Sequence, residues 1–121
     1  MTQLTFDWVL FLQELENSDS NDGLREQIRC CPLPIVEQSD ERGFTLVHHA
    51  VFACIEGKVG ALIDFTKEFQ QVTDDQIRAW VNSRTLTDQF TPLHLASFKG
   101  NLDAVLVLIA HGSDPRAINA F

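Results

Sequence analysis

Residues 88–119 form the segment that most constrains how this chain can fold. Thr91 precedes Pro92, which suits a helix start, because the threonine hydroxyl can cap the first turn and proline has no N–H to lose. Gly100 and Gly112 are placed to end two successive helices, since glycine accepts the left-handed backbone found at helix C-termini. The second of these helices carries an apolar stripe at helical spacing, formed by Leu102, Val105, Leu108 and Ile109. The segment therefore predicts two short helices joined by a turn.

The same segment closely resembles an ankyrin repeat. The resemblance lies in Thr-Pro-Leu-His-Leu-Ala at residues 91–96 and Gly-Ser-Asp-Pro at residues 112–115. A second copy of the motif starts at residues 40–50, with Leu46 in place of the usual proline. The resemblance implies an all-α solenoid, in which stacked helical pairs bury apolar faces that one unit cannot bury alone. It also implies protein binding, which is the usual role of such arrays.

The two copies are spaced unusually far apart. The separation of Thr45 from Thr91 is well above the usual period of about 33 residues. If Gly57 corresponds to Gly100, part of the excess lies in the three additional residues that follow Ala50. The outer helices then match as Val59 with Leu102, Leu62 with Val105, and Phe65 with Leu108. The remaining excess, about ten residues, must follow the first outer helix.

We expect these remaining residues to form a helical insertion at about residues 70–85. Thr73 through Gln76 resembles a capping box. Three apolar residues share one face of the helix that would follow: Ile77, Trp80 and Val81. Insertions in solenoids often lie on a functional face, so this helix is a candidate for covering or extending a binding surface.

The first third of the chain has no repeat motif, but it has the outline of a helical capping unit. Two sets of apolar residues recur at helical spacing: Trp8, Leu12 and Leu15, then Leu24, Ile28 and Cys31. The second set ends before Pro32, which disfavours helix in the residue that precedes it. We therefore predict one domain over residues 1–121. It comprises an N-terminal cap at 4–38, a repeat with the insertion at 40–87, and a second repeat at 88–121.

Residues 117–121 have the pattern of a connection into a further repeat. We therefore expect the outer side of the 91–112 unit to be apolar and uncovered. Two explanations stay open. Either the chain is part of a longer array, or it is complete and a partner or a second copy covers this end by association.

Composition excludes several classes of function. The chain has 9 basic and 17 acidic residues, for a net charge of −8, which argues against binding to nucleic acid. No stretch reaches the ~18 consecutive apolar residues of a membrane span, so we expect no direct membrane insertion. The three cysteines form no disulfide framework, which favours a reducing compartment such as the cytoplasm or nucleus.

Motifs for catalysis are absent from the sequence. It has no Gly-rich phosphate loop and no Gly-x-Ser-x-Gly elbow, so we expect no enzyme activity and no cofactor. His48 and His94 each follow a capping threonine, Thr45 and Thr91, and we interpret these four residues as structural caps. We expect no metal site, because the cysteines lack Cys-x-x-Cys spacing. His49 is either a buried, hydrogen-bonded imidazole or a partly exposed one beside the insertion.

Six residues are candidates for binding a partner through the concave face. Phe44 and Phe90 each precede a capping threonine, while Phe52 and Phe98 fall near the ends of the inner helices. The other two candidates, Arg42 and Lys99, lie close in the pattern and would select an acidic neighbour. Large aromatics among charges are typical of binding hot spots. The competing interpretation is internal packing, in which either the three additional residues after Ala50 or the helix with Ile77, Trp80 and Val81 folds over these rings.

The resemblance supports two hypotheses about function. The first is a non-catalytic recognition module, which inserts the four phenylalanines into an apolar surface of a partner protein. The second is a regulatory or targeting region at the start of a larger protein, such as a channel or a membrane enzyme. Palmitoyltransferases that carry ankyrin repeats are an example of the second kind.

Overall fold

The computed structural model describes residues 6–114, and all regular secondary structure within that range is helical. The α-helices are α1 (Trp8–Leu15), α2 (Asp22–Cys30), α3 (Leu46–Ala53), α4 (Lys58–Gln70), α5 (Asp74–Val81), α6 (Pro92–Lys99) and α7 (Leu102–Ala110). A short 3-10 turn covers Ile35–Glu37. The all-α prediction is thus confirmed.

Six of the helices form two stacked rows. The inner row consists of α1, α3 and α6, in which each helix packs against the next. The outer row consists of α2, α4 and α7, which pack in the same order. The buried residues of both rows form one apolar core, which includes Leu46, Val47, Ala50, Leu62, Ile63, Leu93 and Leu108. This two-layer stack is the solenoid that the resemblance implied.

Matching threonine–histidine pairs begin the inner helices α3 and α6. The Thr45 and Thr91 hydroxyls accept hydrogen bonds from the backbone N–H groups of His48 and His94, at 3.4 and 3.2 Å. Each histidine returns the bond, because its Nδ1 accepts the backbone N–H of the threonine, at 3.2 Å for His48 and 3.0 Å for His94. Two N–H groups that a helix start leaves unpaired are satisfied in this way.

The inner helices end at corresponding residues, and one of our alignments was wrong. Gly100 caps α6 in the left-handed conformation, with φ 71°, and Cys54 caps α3 in the same conformation, with φ 56°. Cys54 stands as far before Gly100 as Thr45 stands before Thr91. Cys54 is therefore the counterpart of Gly100, and Gly57 instead precedes the first residue of α4. The reason is that α3 and α6 have equal lengths, so the additional residues fall after the cap.

The residues that we matched between the two outer helices, α4 and α7, are not buried to the same extent, so this predicted match is also wrong. Val59 is 1% exposed, whereas Leu102 is 68% exposed. Leu62 is buried, whereas its predicted match Val105 is half-buried. Phe65 is half-buried, whereas its predicted match Leu108 is buried. The physical cause is the neighbourhood of each helix. Helix α4 packs against α2, α3 and α7, whereas α7 packs against α4 and α6 among the described residues.

The N-terminal helices also differ from the predicted stripe. In α1 the buried residues are Phe11 and Leu15, while Trp8 and Leu12 are half-buried. Because α1 packs against both α2 and α3, its buried face is centred on Phe11 rather than on Trp8. In α2 the buried residues are Leu24 and Ile28, as predicted. Cys31, the third predicted member, is half-buried and follows the helix as its C-cap.

The insertion predicted at about residues 70–85 contains helix α5. Its capping box is present, since Thr73 accepts from the N–H of Gln76 at 3.1 Å and donates its own N–H to the Gln76 side chain at 2.8 Å. The three residues expected to share a face, Ile77, Trp80 and Val81, are buried. Residues just after α5 bond to the end of α7, through Asn82 to the Gly112 carbonyl at 3.0 Å. The insertion is thus attached to the outer row.

Lys58, the first residue of α4, makes a buried contact between the outer and inner rows. The sequence pattern did not predict this contact. Its side chain is 1% exposed. The ammonium donates to the carbonyls of Glu14 and Asn17, at 3.2 and 2.7 Å, and to the side-chain oxygen of Asn21, at 2.6 Å. Burial lowers the pKa of Lys58, while the nearby charge of Glu14 raises it. Lys58 therefore joins α4 to the loop between α1 and α2.

The hairpins before α3 and α6 each contain one residue with a left-handed backbone. In the first hairpin it is Gly43, with φ 85°, and in the second it is Gln89, with φ 59°. Glycine adopts this conformation without steric cost, whereas a side chain makes it unfavourable by about 1 kcal/mol. The second hairpin therefore carries strain that the first does not.

We expect Gln89→Gly to raise the free energy of unfolding by about 0.5–1 kcal/mol, because it relieves this strain. Urea unfolding followed by circular dichroism measures the change. The matched control is Gly43→Ala, which should destabilise the fold, since a Cβ at Gly43 would lie 2.8 Å from the backbone nitrogen of Leu86. A less stable Gln89→Gly variant would contradict the proposed strain.

Candidate protein-binding groove

An open apolar groove of about 670 Å³ lies beside the inner helices α3 and α6. The residues that line it are Phe44, Phe52, Phe90, His94, Leu95, Ser97, Phe98 and Lys99. We call this feature the aromatic groove. All four phenylalanines predicted to bind a partner line it, as does Lys99. The hairpins place Phe44 and Phe90, and the last turns of α3 and α6 place Phe52 and Phe98.

The four rings differ in how far they project. Phe44 and Phe90 are half-buried and pack against the core, whereas Phe52 and Phe98 are 53% and 89% exposed. The rings therefore form the walls of a groove instead of four projecting knobs. Phe98 is an exception, because most of its side chain faces solvent. This geometry differs from the expected insertion of all four rings into a partner, since a groove receives side chains.

Two cations lie against rings of the groove. The Arg42 guanidinium lies 5.4 Å from the centre of the Phe44 ring, and the Lys99 ammonium lies 4.7 Å from the centre of the Phe52 ring. Cations within about 6 Å of a ring centre are attracted by the negative face of the ring. Arg42 does not line the groove but a separate depression, together with Trp8, Asp40 and Glu41. Both predicted cations are thus next to the rings that they were expected to accompany.

His48 links the two halves of the groove. Its Nδ1 accepts the N–H of Thr45, so the proton of the neutral ring is on Nε2, which donates to the carbonyl of Phe90 at 2.9 Å. The same imidazole makes an edge contact with the Phe44 ring, at 5.5 Å between centres. Burial lowers the pKa of His48 to about 4, although the bond to the Phe90 carbonyl opposes this shift. A neutral His48 thus fixes the positions of Phe44 and Phe90.

The insertion does not cover the groove. Helix α5 contacts the 3-10 turn, and no α5 residue lines the groove. Its described hydrogen-bonded neighbours belong to the end of α7, where Ser113 Oγ donates to the Val81 carbonyl at 3.2 Å. The structure therefore does not show α5 packing over the rings of the aromatic groove. The described part of the chain leaves the groove open at Phe52 and Phe98.

Sequence reasoning missed Leu95, Ser97 and His94 as lining residues. Leu95 is 7% exposed and forms part of the apolar wall. The signal that indicates Leu95 is its place on α6 between two lining residues, one turn before Phe98. His94, which we predict as a structural cap, also lines the groove.

His49 lies on the side of α3 that faces α1. Its Nε2 is 3.0 Å from Asp40 Oδ2, and the side chains of both residues are about one quarter exposed, at 24% and 28%. Its ring makes an edge contact with Trp8 at 5.7 Å. His49 is thus both hydrogen-bonded and partly exposed, in contact with the N-terminal helix rather than with the insertion.

Helix α7 presents a second apolar surface, the α7 face, formed by Leu102, Leu106 and Ile109. These residues are 68%, 63% and 43% exposed and recur at i, i+4 and i+7. The prediction of an apolar, uncovered outer side agrees with this exposure for the described residues. The predicted connection at 117–121 lies outside them.

Within residues 6–114, no group of three or more His, Cys, Asp or Glu side chains has the arrangement of a metal site. In the same range, no helix has the combination of length and apolar character needed to cross a membrane. All three cysteines are free thiols, with Cys30 and Cys54 exposed.

Comparisons with known proteins agree with the architecture. The family model described as Ankyrin repeat matches residues 88–120. The chain is also 53% identical over 38 residues to ankyrin repeat domain-containing protein 49 of Bos taurus. That alignment covers 31% of this chain and 16% of the bovine protein. No solved structure matches. These matches identify residues 88–120 as an ankyrin repeat, and the two rows of helices agree with the all-α solenoid that such repeats form.

Proposed function

We propose that this chain is a non-catalytic recognition module that binds a partner protein through the aromatic groove. Ankyrin repeats are generally protein-interaction modules. The observation that carries the proposal is the exposure of Phe98 at the edge of an open groove whose other walls are apolar. A single exposed aromatic side chain is common on protein surfaces, but three further phenylalanine rings line the same groove as Phe98. Such clusters of large aromatics are typical of interface hot spots.

The domain organisation that accompanies this proposal is the predicted one. We assign residues 4–38 to an N-terminal cap, 40–87 to a repeat with the α5 insertion, and 88–121 to a second repeat. The hairpins, caps and helix pairs support this assignment for the described residues. We also propose an intracellular, reducing compartment, which the three free thiols support.

We expect Phe98→Ala to weaken partner capture by at least tenfold while leaving the melting temperature nearly unchanged, because the ring is exposed in the free protein. The measurement is affinity capture with the immobilised chain and quantitative mass spectrometry, followed by titration with the purified partner. Val9→Ala is the matched control, since that residue is also exposed and apolar but lies on α1, outside the groove and the α7 face. Equal loss in both variants, or none in Phe98→Ala, would contradict the proposal. Phe90→Ala is a poorer probe, because Phe90 also packs against the core.

A second proposal concerns the α7 face, which we propose associates with a second copy of the chain. Three exposed apolar side chains on one face of α7 favour burial of that face against a similar surface. We expect light scattering after size exclusion to give a mass that rises with concentration, and Leu106→Glu to return the chain to a monomer. A mass that stays monomeric at every concentration in the unmodified chain would exclude this association.

A further inference from the structure

We propose that the aromatic groove takes the apolar face of a helix from a partner protein, with one carboxylate at the end of the apolar row. This inference rests on the proposed function and specifies the partner by its secondary structure and its charge. It depends on three observations, which are the chemistry of the lining side chains, the length of α3, and the place of Lys99 in the lining.

The walls of the groove offer few hydrogen-bond partners to the backbone of an occupant. Four of the lining residues are phenylalanines, whose rings carry no polar atom. Leu95 adds to the apolar wall, and the exposed polar side chains of the lining are those of Ser97 and Lys99. Burying a backbone N–H or C=O group against apolar walls without a partner is unfavourable. An occupant therefore has to satisfy its own backbone groups.

A helix meets this requirement, whereas an extended segment does not. The backbone N–H and C=O groups of a helix pair with each other within the segment. An extended segment can instead pair with the edge of a sheet, but residues 6–114 contain no strand that would offer one. A proline-rich segment makes no internal hydrogen bonds, and the described lining has no tyrosine or tryptophan to donate to its carbonyls. The lining thus favours a helical occupant.

The length of α3 matches the spacing of apolar anchors on such a helix. Phe44 precedes α3 and Phe52 lies in its last turn, and both residues line the groove. The groove therefore runs the length of this eight-residue helix, roughly 12 Å at 1.5 Å per residue. Side chains at i, i+4 and i+7 of a helix lie on one face and extend over about 10 Å of its axis. A partner helix that lies along α3 can thus place three apolar anchors between the two ends of the groove.

Lys99 places a cation at one end of this row. Its ammonium lies 4.7 Å from the centre of the Phe52 ring, where α3 and α6 both end. Among the described residues, the lining contains Lys99 but no acidic side chain and no other lysine or arginine. The local charge is therefore opposite in sign to that of the chain, which has 17 acidic and 9 basic residues. Charge complementarity favours a carboxylate one turn beyond the last apolar anchor, on the same face of the partner helix.

The test of the helical form uses the full chain and labelled, alanine-rich peptides with blocked ends, and fluorescence anisotropy measures binding. The first peptide has leucine at i, i+4 and i+7, and glutamate at i+11, which continues the leucine face. In the second peptide, proline replaces the alanine at i+5, on the far side of the helix. We expect the first to bind at least tenfold more tightly than the second, because proline breaks the helix without removing an anchor. Circular dichroism checks the helicity of both peptides.

The test of the carboxylate uses a third peptide, in which the glutamate moves to i+9 on the opposite face. Composition and net charge stay the same, so long-range repulsion by the acidic chain affects both peptides equally. We expect the first peptide to bind two- to fivefold more tightly than the third in low salt. Lys99→Gln should remove this difference, and circular dichroism should show an unchanged fold because the side chain is exposed. Arg42→Gln is the matched control and should retain the difference, since Arg42 lines a separate depression.

Three results would overturn the inference. Equal binding of the first and second peptides, or no binding of either, would reject the helical occupant. Equal binding of the first and third peptides, or a difference that persists in Lys99→Gln, would reject the carboxylate. Peptide binding that appears only in Leu106→Glu would assign the groove to the α7 face of a second copy. The proposed function stands separately, because it fails if Phe98→Ala leaves partner capture intact.

Discussion

Replacing Lys58 with methionine is expected to lower the free energy of unfolding by about 2–4 kcal/mol. The methionine retains the apolar volume of the lysine side chain but donates no hydrogen bond. The carbonyls of Glu14 and Asn17 and the Asn21 side chain would then lose their donor in a buried setting. An apolar group can replace a buried ion pair at little cost, but only when both partners are replaced. Here the acceptors are mainly backbone groups, which remain.

Urea unfolding at neutral pH measures this effect, and the same helix provides a matched control. Lys67 also lies on α4, but its side chain is 40% exposed and its ion pair with Asp74 is long, at 3.6 Å. Lys67→Met should therefore change stability by less than about 0.5 kcal/mol. If Lys58→Met proves as mild as Lys67→Met, water replaces the ammonium and Lys58 does not hold the N-terminal loop.

Acidification from pH 7 to pH 5 is expected to remove about 2 kcal/mol of stability through His48. Burial lowers the pKa of this imidazole from 6.5 to about 4 in the folded protein. Between these two values the unfolded chain binds a proton that the folded chain does not. Stability therefore falls as the pH falls, and the full loss, on the order of 3 kcal/mol, is reached only below the folded pKa of about 4.

Protonation of His48 also removes an acceptor from the start of α3. The Nδ1 atom that accepts the N–H of Thr45 becomes a donor, which breaks one half of the capping box. Urea unfolding at pH 7 and pH 5 should give a smaller difference for His48→Gln than for the unmodified chain, by about 2 kcal/mol. An equal difference in the two proteins would assign the acid sensitivity to other groups.

Local patterns in the sequence predicted the features that depend on near neighbours. The capping threonines Thr45 and Thr91 act within one helical turn, so their role follows from residues three positions away. The buried face of α5 follows in the same way from the spacing of Ile77, Trp80 and Val81. The register of the phenylalanines also follows, because each hairpin places a ring immediately before its threonine.

The features that were missed depend on distant segments. A lysine at the start of a helix is ordinarily exposed, and Lys58 is buried because a loop some 40 residues earlier supplies its acceptors. Cys54 adopts a left-handed conformation that favours glycine, so the Gly57 alignment followed propensity where the packing of α3 decided the outcome. Whether the groove is open also depended on where α5 docks, and no pattern within α5 determines that.

The attachment of α5 to the outer row has a consequence for how this protein can diversify. The insertion lengthens the path between the two hairpins, yet Phe44 and Phe90 remain equivalent on the opposite surface. Although Asn82 and Ser113 anchor α5 to the end of α7, Thr85 follows that helix and hydrogen-bonds both the N–H and the carbonyl of Phe90. Variation in the length of α5 is therefore transmitted to Phe90 through residues 82–85, even though no α5 residue lines the groove.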